Sequence, residues 1–305
     1  MTIPSYQSLM LPLLRVLGEA GKDTELHKKD YTARVADALG LTPEQRSVTL
    51  PSGGQKSIDN RVSWACWYMQ QAKLVEKGKR GCSKITDEGL KLLAKNPATI
   101  DNKLLATYPS FAEKMQKSAG DEEPEALPQP ATEQTPTEQI EQAHLKLNQT
   151  LASDLRDIMA KMDPYRFEEL VVDLLFAMGY GGSRVEAALV TQKSNDHGID
   201  GIISEDRLGL DMIYVQAKRW QNTIGGEQIQ SFVGALAGKH ATKGVFITTS
   251  DFLASAIEYA KTVQHKIILI GGQKLAELMI EYNIGVSTVR SIAIKRVDSD
   301  YFEEE

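Results

Sequence analysis

Apolar residues recur at helical spacing from Tyr6 to Leu17, and Gly18 and Gly21 end the run. A second helical pattern covers Tyr31 to Leu39 and stops at Gly40. After a loop holding Pro51, Gly53 and Gly54, the spacing predicts a third helix over Asp59–Lys73. Two short strands, Leu74–Lys77 and Ser83–Ile85, are expected on either side of Gly78-Lys79-Arg80-Gly81. Thr86 is placed to cap a helix from Asp87 to Ala94.

Helix and strand patterns alternate in the C-terminal half. Pro164–Met178 reads as an amphipathic helix with Phe167, Leu170, Val171, Leu174 and Leu175 on its apolar face, closed by Gly179. Strands are expected around Arg184–Val190, Gly198–Ile203 and Met212–Lys218, then a helix over Glu227–Ala237. A buried strand at Gly244–Thr248, a helix at Leu253–Val263, a strand at Ile267–Ile270 and a helix at Lys274–Tyr282 complete the series. The order α-β-β-β-α-β-α-β-α predicts an α/β domain around a mixed sheet. Between the halves, Ser118 to Gln142 is rich in Pro, Glu, Gln and Thr and too poor in apolar residues to fold alone. The expected division is a mostly α domain over residues 1–117, an acidic linker over 118–149, an α/β domain over 150–297 and an acidic tail over 298–305.

Composition is that of an ordinary soluble protein, with 42% apolar and 25% charged residues. No apolar run reaches a membrane-spanning length and the N-terminus has no signal-peptide pattern, so a cytoplasmic protein is expected. Cys66 and Cys82 lack zinc-like spacing and are expected as buried or partly buried thiols. The net charge of −6 argues against a nucleic-acid partner until its distribution is considered. Asp121–Glu141 and Asp298–Glu305 together hold twelve acids and no Lys or Arg, which leaves the remainder at +6.

Three helices followed by a basic hairpin form the pattern of a winged helix. In it the third helix would enter the major groove with Arg61 and Trp64, and Lys79, Arg80 and Lys84 on the wing would meet phosphates. A small helical domain with a solvated basic turn, or a winged helix that binds protein, fits the same pattern. In the C-terminal half, residues two apart on a strand share a face, so Gln216 and Lys218 point one way and Val215 and Ala217 the other. A turn near Arg207–Gly209 would bring Asp200 beside them. Asp200, the Gln216 amide oxygen and the Ala217 carbonyl are hard oxygen ligands of the kind Mg²⁺ takes. Lys218 would orient or deprotonate a water, and Glu168, preferred over Glu169, would complete the metal shell. The plainer alternative is an Asp in a turn and a solvated Lys at a strand end.

The stretches Gly198-Ile199-Asp200-Gly201, Tyr214 to Trp220, Gly234 to Gly238 and Gly244 to Ser250 resemble the catalytic domain of the Mrr restriction endonucleases, within the PD-(D/E)xK nuclease superfamily. Phe167-Glu168 and Met178-Gly179-Tyr180 are similar to its first helix. The N-terminal half is more weakly similar to the winged-helix domain of that family. The resemblance implies a two-domain restriction enzyme that cuts methylated double-stranded DNA with Mg²⁺ (or Mn²⁺). Cutting both strands needs two active sites, so a homodimer or higher homo-oligomer, or pairing induced by DNA, is expected. The resemblance also implies that Asp200, Gln216, Lys218, Glu168 and Gln230 form the site and that Arg219 meets DNA. Gln216 stands where most of the superfamily has an acid, and Asp196-His197 stands where relatives often carry paired glycines. A repair nuclease for branched DNA and a DNA-binding regulator that does not cut are the rival expectations.

Overall fold

The computed structural model describes residues 3–118, 133–181, 199–206, 210–295, 297 and 301. The strand expected at Arg184–Val190, His197, the turn at 207–209 and most of the acidic tail lie outside the described residues. The chain divides into two compact units, residues 1–145 with 295–305, and residues 146–294.

The first unit opens with helix α1 (Tyr6–Ala20), capped by the Ser5 hydroxyl, which accepts from the Ser8 N–H. Leu9, Met10, Leu13, Leu14 and Leu17 along it are completely buried. Strand β1 (Leu26–His27), α2 (Lys28–Ala38), the short α3 (Pro43–Ser47) and α4 (Ser57–Gln71) follow. Next come β2 (Val75–Lys77), β3 (Cys82–Ile85) and α5 (Asp87–Ala94). The strands form an antiparallel sheet in the order β1-β3-β2. This is the winged-helix arrangement, with α4 as its third principal helix and β2–β3 as its wing. Val62, Ala65 and Met69 bury the inner face of α4 in the core that α1 feeds. Thr86 caps α5 as its sequence position predicts, accepting from the Gly89 N–H at 3.1 Å. Gly89 is required there: a Cβ would lie 2.3 Å from the Leu74 carbonyl oxygen. Both cysteines are free and both belong to this unit. Cys66 is buried 3.5 Å from the Ser83 hydroxyl, and burial pushes its thiol pKa up.

Two further short helices, α6 (Asn102–Leu105) and α7 (Pro109–Ser118), pack Leu105 and Phe111 onto the same core. The next described helix, α8, runs from Pro136 to Lys161, 26 residues. A spacer through residue 149 therefore does not hold from Pro136 onward. The cause is local: Thr135 accepts from the Glu138 N–H at 3.2 Å while Glu138 accepts from the Thr135 N–H at 2.8 Å. That reciprocal pair is a capping box, and Pro136 sits at the first helical position, where a missing N–H costs nothing.

The second unit holds the C-terminal half of α8, then α9 (Pro164–Ala177), β4 (Gly201–Ser204) and β5 (Met212–Lys218). It continues with α10 (Gly226–Gly238), β6 (Lys243–Thr248), α11 (Ala254–Thr262), β7 (Lys266–Ile270) and α12 (Gly272–Glu281). The sheet order is β4-β5-β6-β7, antiparallel at β4–β5 and parallel at the other two pairs, which is the mixed sheet the element order predicts. Each face of the sheet carries its own apolar core. Val215, Ala217 and Ile247 pack with Phe167, Leu174 and Leu275 on one face; Tyr214 and Phe246 pack with Phe232 and Leu236 on the other. The alternation along β5 thus follows strand geometry. Lys218 and Thr248 are register partners, so parallel strands β5 and β6 end at one level. Open α/β sheets place their sites at that end.

Candidate active site

Asp200 immediately precedes β4, and its N–H donates to the Val215 carbonyl at 2.9 Å. Its Oδ2 accepts from the Ala217 N–H at 2.8 Å. These two bonds fix the carboxylate against the end of β5. The Lys218 ammonium lies 3.3 Å from Oδ2 and 3.5 Å from Oδ1. The pair is neither free in solvent nor sealed, with side-chain exposures of 26% for Lys218 and 16% for Asp200. Thr248 and Thr249 secure the strand end from the neighbouring strand. The Thr248 hydroxyl donates to the Lys218 carbonyl at 2.8 Å, and the Thr249 N–H donates to the same oxygen at 3.3 Å. Sequence reasoning missed these two; the signal was a pair of Thr residues closing an otherwise apolar buried strand.

Glu168 extends from α9 toward this pair. Burial raises its carboxyl pKa, the Asp200 anion adds to the rise, and Lys218 opposes it. Its neighbour Glu169 is exposed and held 2.6 Å from Arg166. Gln216 is buried, and its Oε1 is among the buried polar atoms with no hydrogen-bond partner. An unpaired buried amide oxygen is costly unless something else takes its lone pair. No group of three His, Cys, Asp or Glu able to hold a metal occurs among the described residues. The donor set here is different: two carboxylates, Asp200 and Glu168, with a neutral amide oxygen from Gln216. Hard oxygen donors of this kind fit a Mg²⁺-type cation, which would relieve the like-charge crowding of Asp200 and Glu168.

Other expected residues lie elsewhere. Gln230 is exposed on α10. Arg219 turns inward: its Nη1 donates to the Ala160 carbonyl at 3.0 Å and its Nε is buried without a partner. It anchors the C-terminal end of α8 to the end of β5. In the first unit, Lys79 and Arg80 are exposed at the tip of the wing, where the Lys79 N–H donates to Glu25 at 2.9 Å. Lys84 pairs across the hairpin with Glu76 at 3.0 Å. Arg61 and Trp64 on α4 are half-buried and hydrogen-bonded within the unit. Arg61 donates to Glu138 at 2.7 Å and also to the Ile3 and Pro4 carbonyls, and the Trp64 indole donates to Thr137 at 3.1 Å.

An Asp and a Lys joined at the end of a mixed sheet, with a helix acid beside them, define a restriction-endonuclease catalytic domain preceded here by a winged helix. The comparisons agree. The restriction endonuclease catalytic family matches residues 159–279, and the Mrr N-terminal domain family matches residues 6–95. The Type IV methyl-directed restriction enzyme EcoKMrr of Escherichia coli (strain K12) is 38% identical over 310 residues, covering 99% of this chain and all of that protein. The chain belongs to the Mrr family of restriction endonucleases, and its chemistry is that of a DNA endonuclease. Catalytic domains of this class depend on a divalent metal. Among solved structures, the MspJI restriction endonuclease in complex with a 27-mer oligonucleotide is 24% identical, covering 51% of this chain and 36% of that one, with a TM-score of 0.29. Restriction endonuclease FokI is 13% identical, covering 91% and 71%, with a TM-score of 0.30. At these TM-scores neither likeness bears on fold or function. No helix among the described residues is long and apolar enough to cross a membrane.

Proposed function

We propose that the chain cleaves methylated double-stranded DNA with Mg²⁺, Mn²⁺ being able to substitute, and that Asp200, Lys218, Glu168 and Gln216 carry the chemistry. The observation that carries the reading is the Asp200–Lys218 contact with Glu168 close enough for its acidity to respond to both. Asp200, Glu168, the Gln216 amide oxygen and the Ala217 carbonyl would hold the cation, which supplies charge neutralisation at the scissile phosphate and a more acidic water. The protein groups do the rest. The Ala217 N–H holds the Asp200 carboxylate in one orientation. Lys218, fixed through its backbone by Thr248, presents its ammonium where it can orient the attacking water and offset charge on the phosphorane. The name of the 38%-identical relative supports methylated DNA as the substrate.

The test is cleavage of the same plasmid prepared from methylating and non-methylating hosts, with a branched duplex alongside. Cutting of the methylated plasmid alone is expected. Asp200→Ala and Lys218→Ala should each lower cleavage on the order of 10²-fold or more while leaving duplex affinity unchanged. Full activity in both variants would remove them from the chemistry. Cutting only of branched DNA, or of nothing, would replace the substrate assignment.

A further inference from the structure

The contacts between the start of α8 and the winged helix form a pattern that capping alone does not require. The Pro51-Ser52-Gly53-Gly54 turn stands just before α4, and its Ser52–Gly54 residues are exposed. There the Ser52 N–H and Ser52 hydroxyl both donate to the Glu141 carboxylate, each at 2.8 Å. A backbone N–H and a hydroxyl converging on one anion at the entry to a recognition helix is how proteins hold a DNA phosphate. One turn into α4, the Thr135 hydroxyl donates to Asn60 at 2.6 Å, and the Trp64 indole is tied to Thr137. Asn60 and Trp64 lie four residues apart on one helix face, in the N-terminal half of α4, the part of a recognition helix that reads base edges. Arg61 is neutralised by Glu138, whose side chain is only 7% exposed. The covering segment ends a 21-residue stretch, Asp121–Glu141, with no Lys or Arg.

We propose that the first two turns of α8 mask a duplex-DNA contact surface on the winged helix, with the Glu141 carboxylate in the place of a backbone phosphate, and that this segment lifts when DNA binds. The proposal rests on the reading of this unit as a DNA reader. Physically the mask is displaceable. Its contacts are a few hydrogen bonds and one ion pair, whereas a duplex brings many phosphates and gains the release of its counterions. Its effect is to reduce apparent DNA affinity by the fraction of molecules with the surface uncovered. A nuclease that harms its own host gains from an affinity kept low until a correct target is met.

The experiment is binding of a fluorescent methylated duplex to the full chain in EDTA, so that no cleavage intervenes. Glu141→Gln, and Glu138→Gln with Glu141→Gln, should bind about tenfold more tightly than the parent. Glutamine at 138 still accepts from the Thr135 N–H, and position 141 has no capping role, so helix and fold are kept. Adding Ser52→Ala to Glu141→Gln should remove most of the gain, because the phosphate loses its donor hydroxyl. Hydrogen exchange on the parent chain should show amides 138–141 losing protection when the duplex saturates it. Unchanged protection at saturation overturns the proposal, and so does an unchanged Kd in the Glu variants. The Lys79→Ala/Arg80→Ala wing variant separates two kinds of failure. If it weakens binding while the Glu variants do nothing, the mask alone is wrong. If it too does nothing, the unit is not the DNA reader and both readings fall.

Discussion

At the scale of the residue, Glu168 shows the cost of building a site before its ligand arrives. Burial and the Asp200 anion raise its pKa, so the folded chain favours its protonated form relative to the unfolded chain. The sign follows: the stabilising contribution is complete below the unfolded glutamate pKa and is lost as pH rises through the folded value. Glu168→Gln should therefore melt slightly higher than the parent in EDTA at neutral pH, with the advantage vanishing in acid; equal melting curves at both pH values would contradict this. The same variant should lose cleavage. Asp200 and Lys218 were legible because their chemistry sits in a short strand motif. Glu168 was legible because it neighbours Phe167 on a helix whose buried face is plain in the sequence. The intramolecular partners of Arg61, Trp64 and Arg219 were not. Whether a basic or aromatic side chain meets DNA or its own fold depends on where α8 runs, and no local pattern carries that.

Elements fail or succeed in prediction for equally definite reasons. The periodic helices and the β4–β7 strands are recovered within a few residues because each buries one face or both. Helix α8 was hidden by its composition, since Pro, Glu, Gln and Thr mark a spacer unless a capping box and a Pro at the first helical position mark a start. Strand β1, two residues long, leaves no periodicity to read. Helix α12 offers a test of how elements hold the site. A Cβ on Gly272 would lie 2.2 Å from the Thr249 carbonyl oxygen, so Gly272→Ala must push apart α12 and the segment that secures Lys218. A loss of about 1–3 kcal/mol in stability is expected, together with a lower kcat and an intact metal response. Retained kcat in a destabilised variant would show that α12 supports the fold without positioning Lys218. Truncation of Phe167, wholly buried in the core of the second unit, should cost about 3–5 kcal/mol and is the control for destabilisation without a change at Thr249.

The whole molecule is two compact units, one carrying the match to the Mrr N-terminal domain and the other the match to the restriction endonuclease catalytic family, and the change in pattern between the two halves of the sequence marks the passage from one to the other. One chain carries one Asp200–Lys218 site, so a concerted break in both strands is expected to use two chains. Sedimentation of the chain with a methylated duplex in EDTA should show two chains per duplex; one chain per duplex there, with both strands cut once Mg²⁺ is added at the same concentrations, would exclude this. The distribution of sulfur has a consequence of another kind. Cys66, buried beside Ser83, and Cys82, half-buried in β3, are the chain's only two cysteines, and both lie in the first unit. The natural protein thus carries an internal clock for one unit alone. Under native conditions an alkylating reagent should modify Cys82 quickly and Cys66 only as often as the winged helix opens, so the slow phase times that opening while the catalytic unit stays silent.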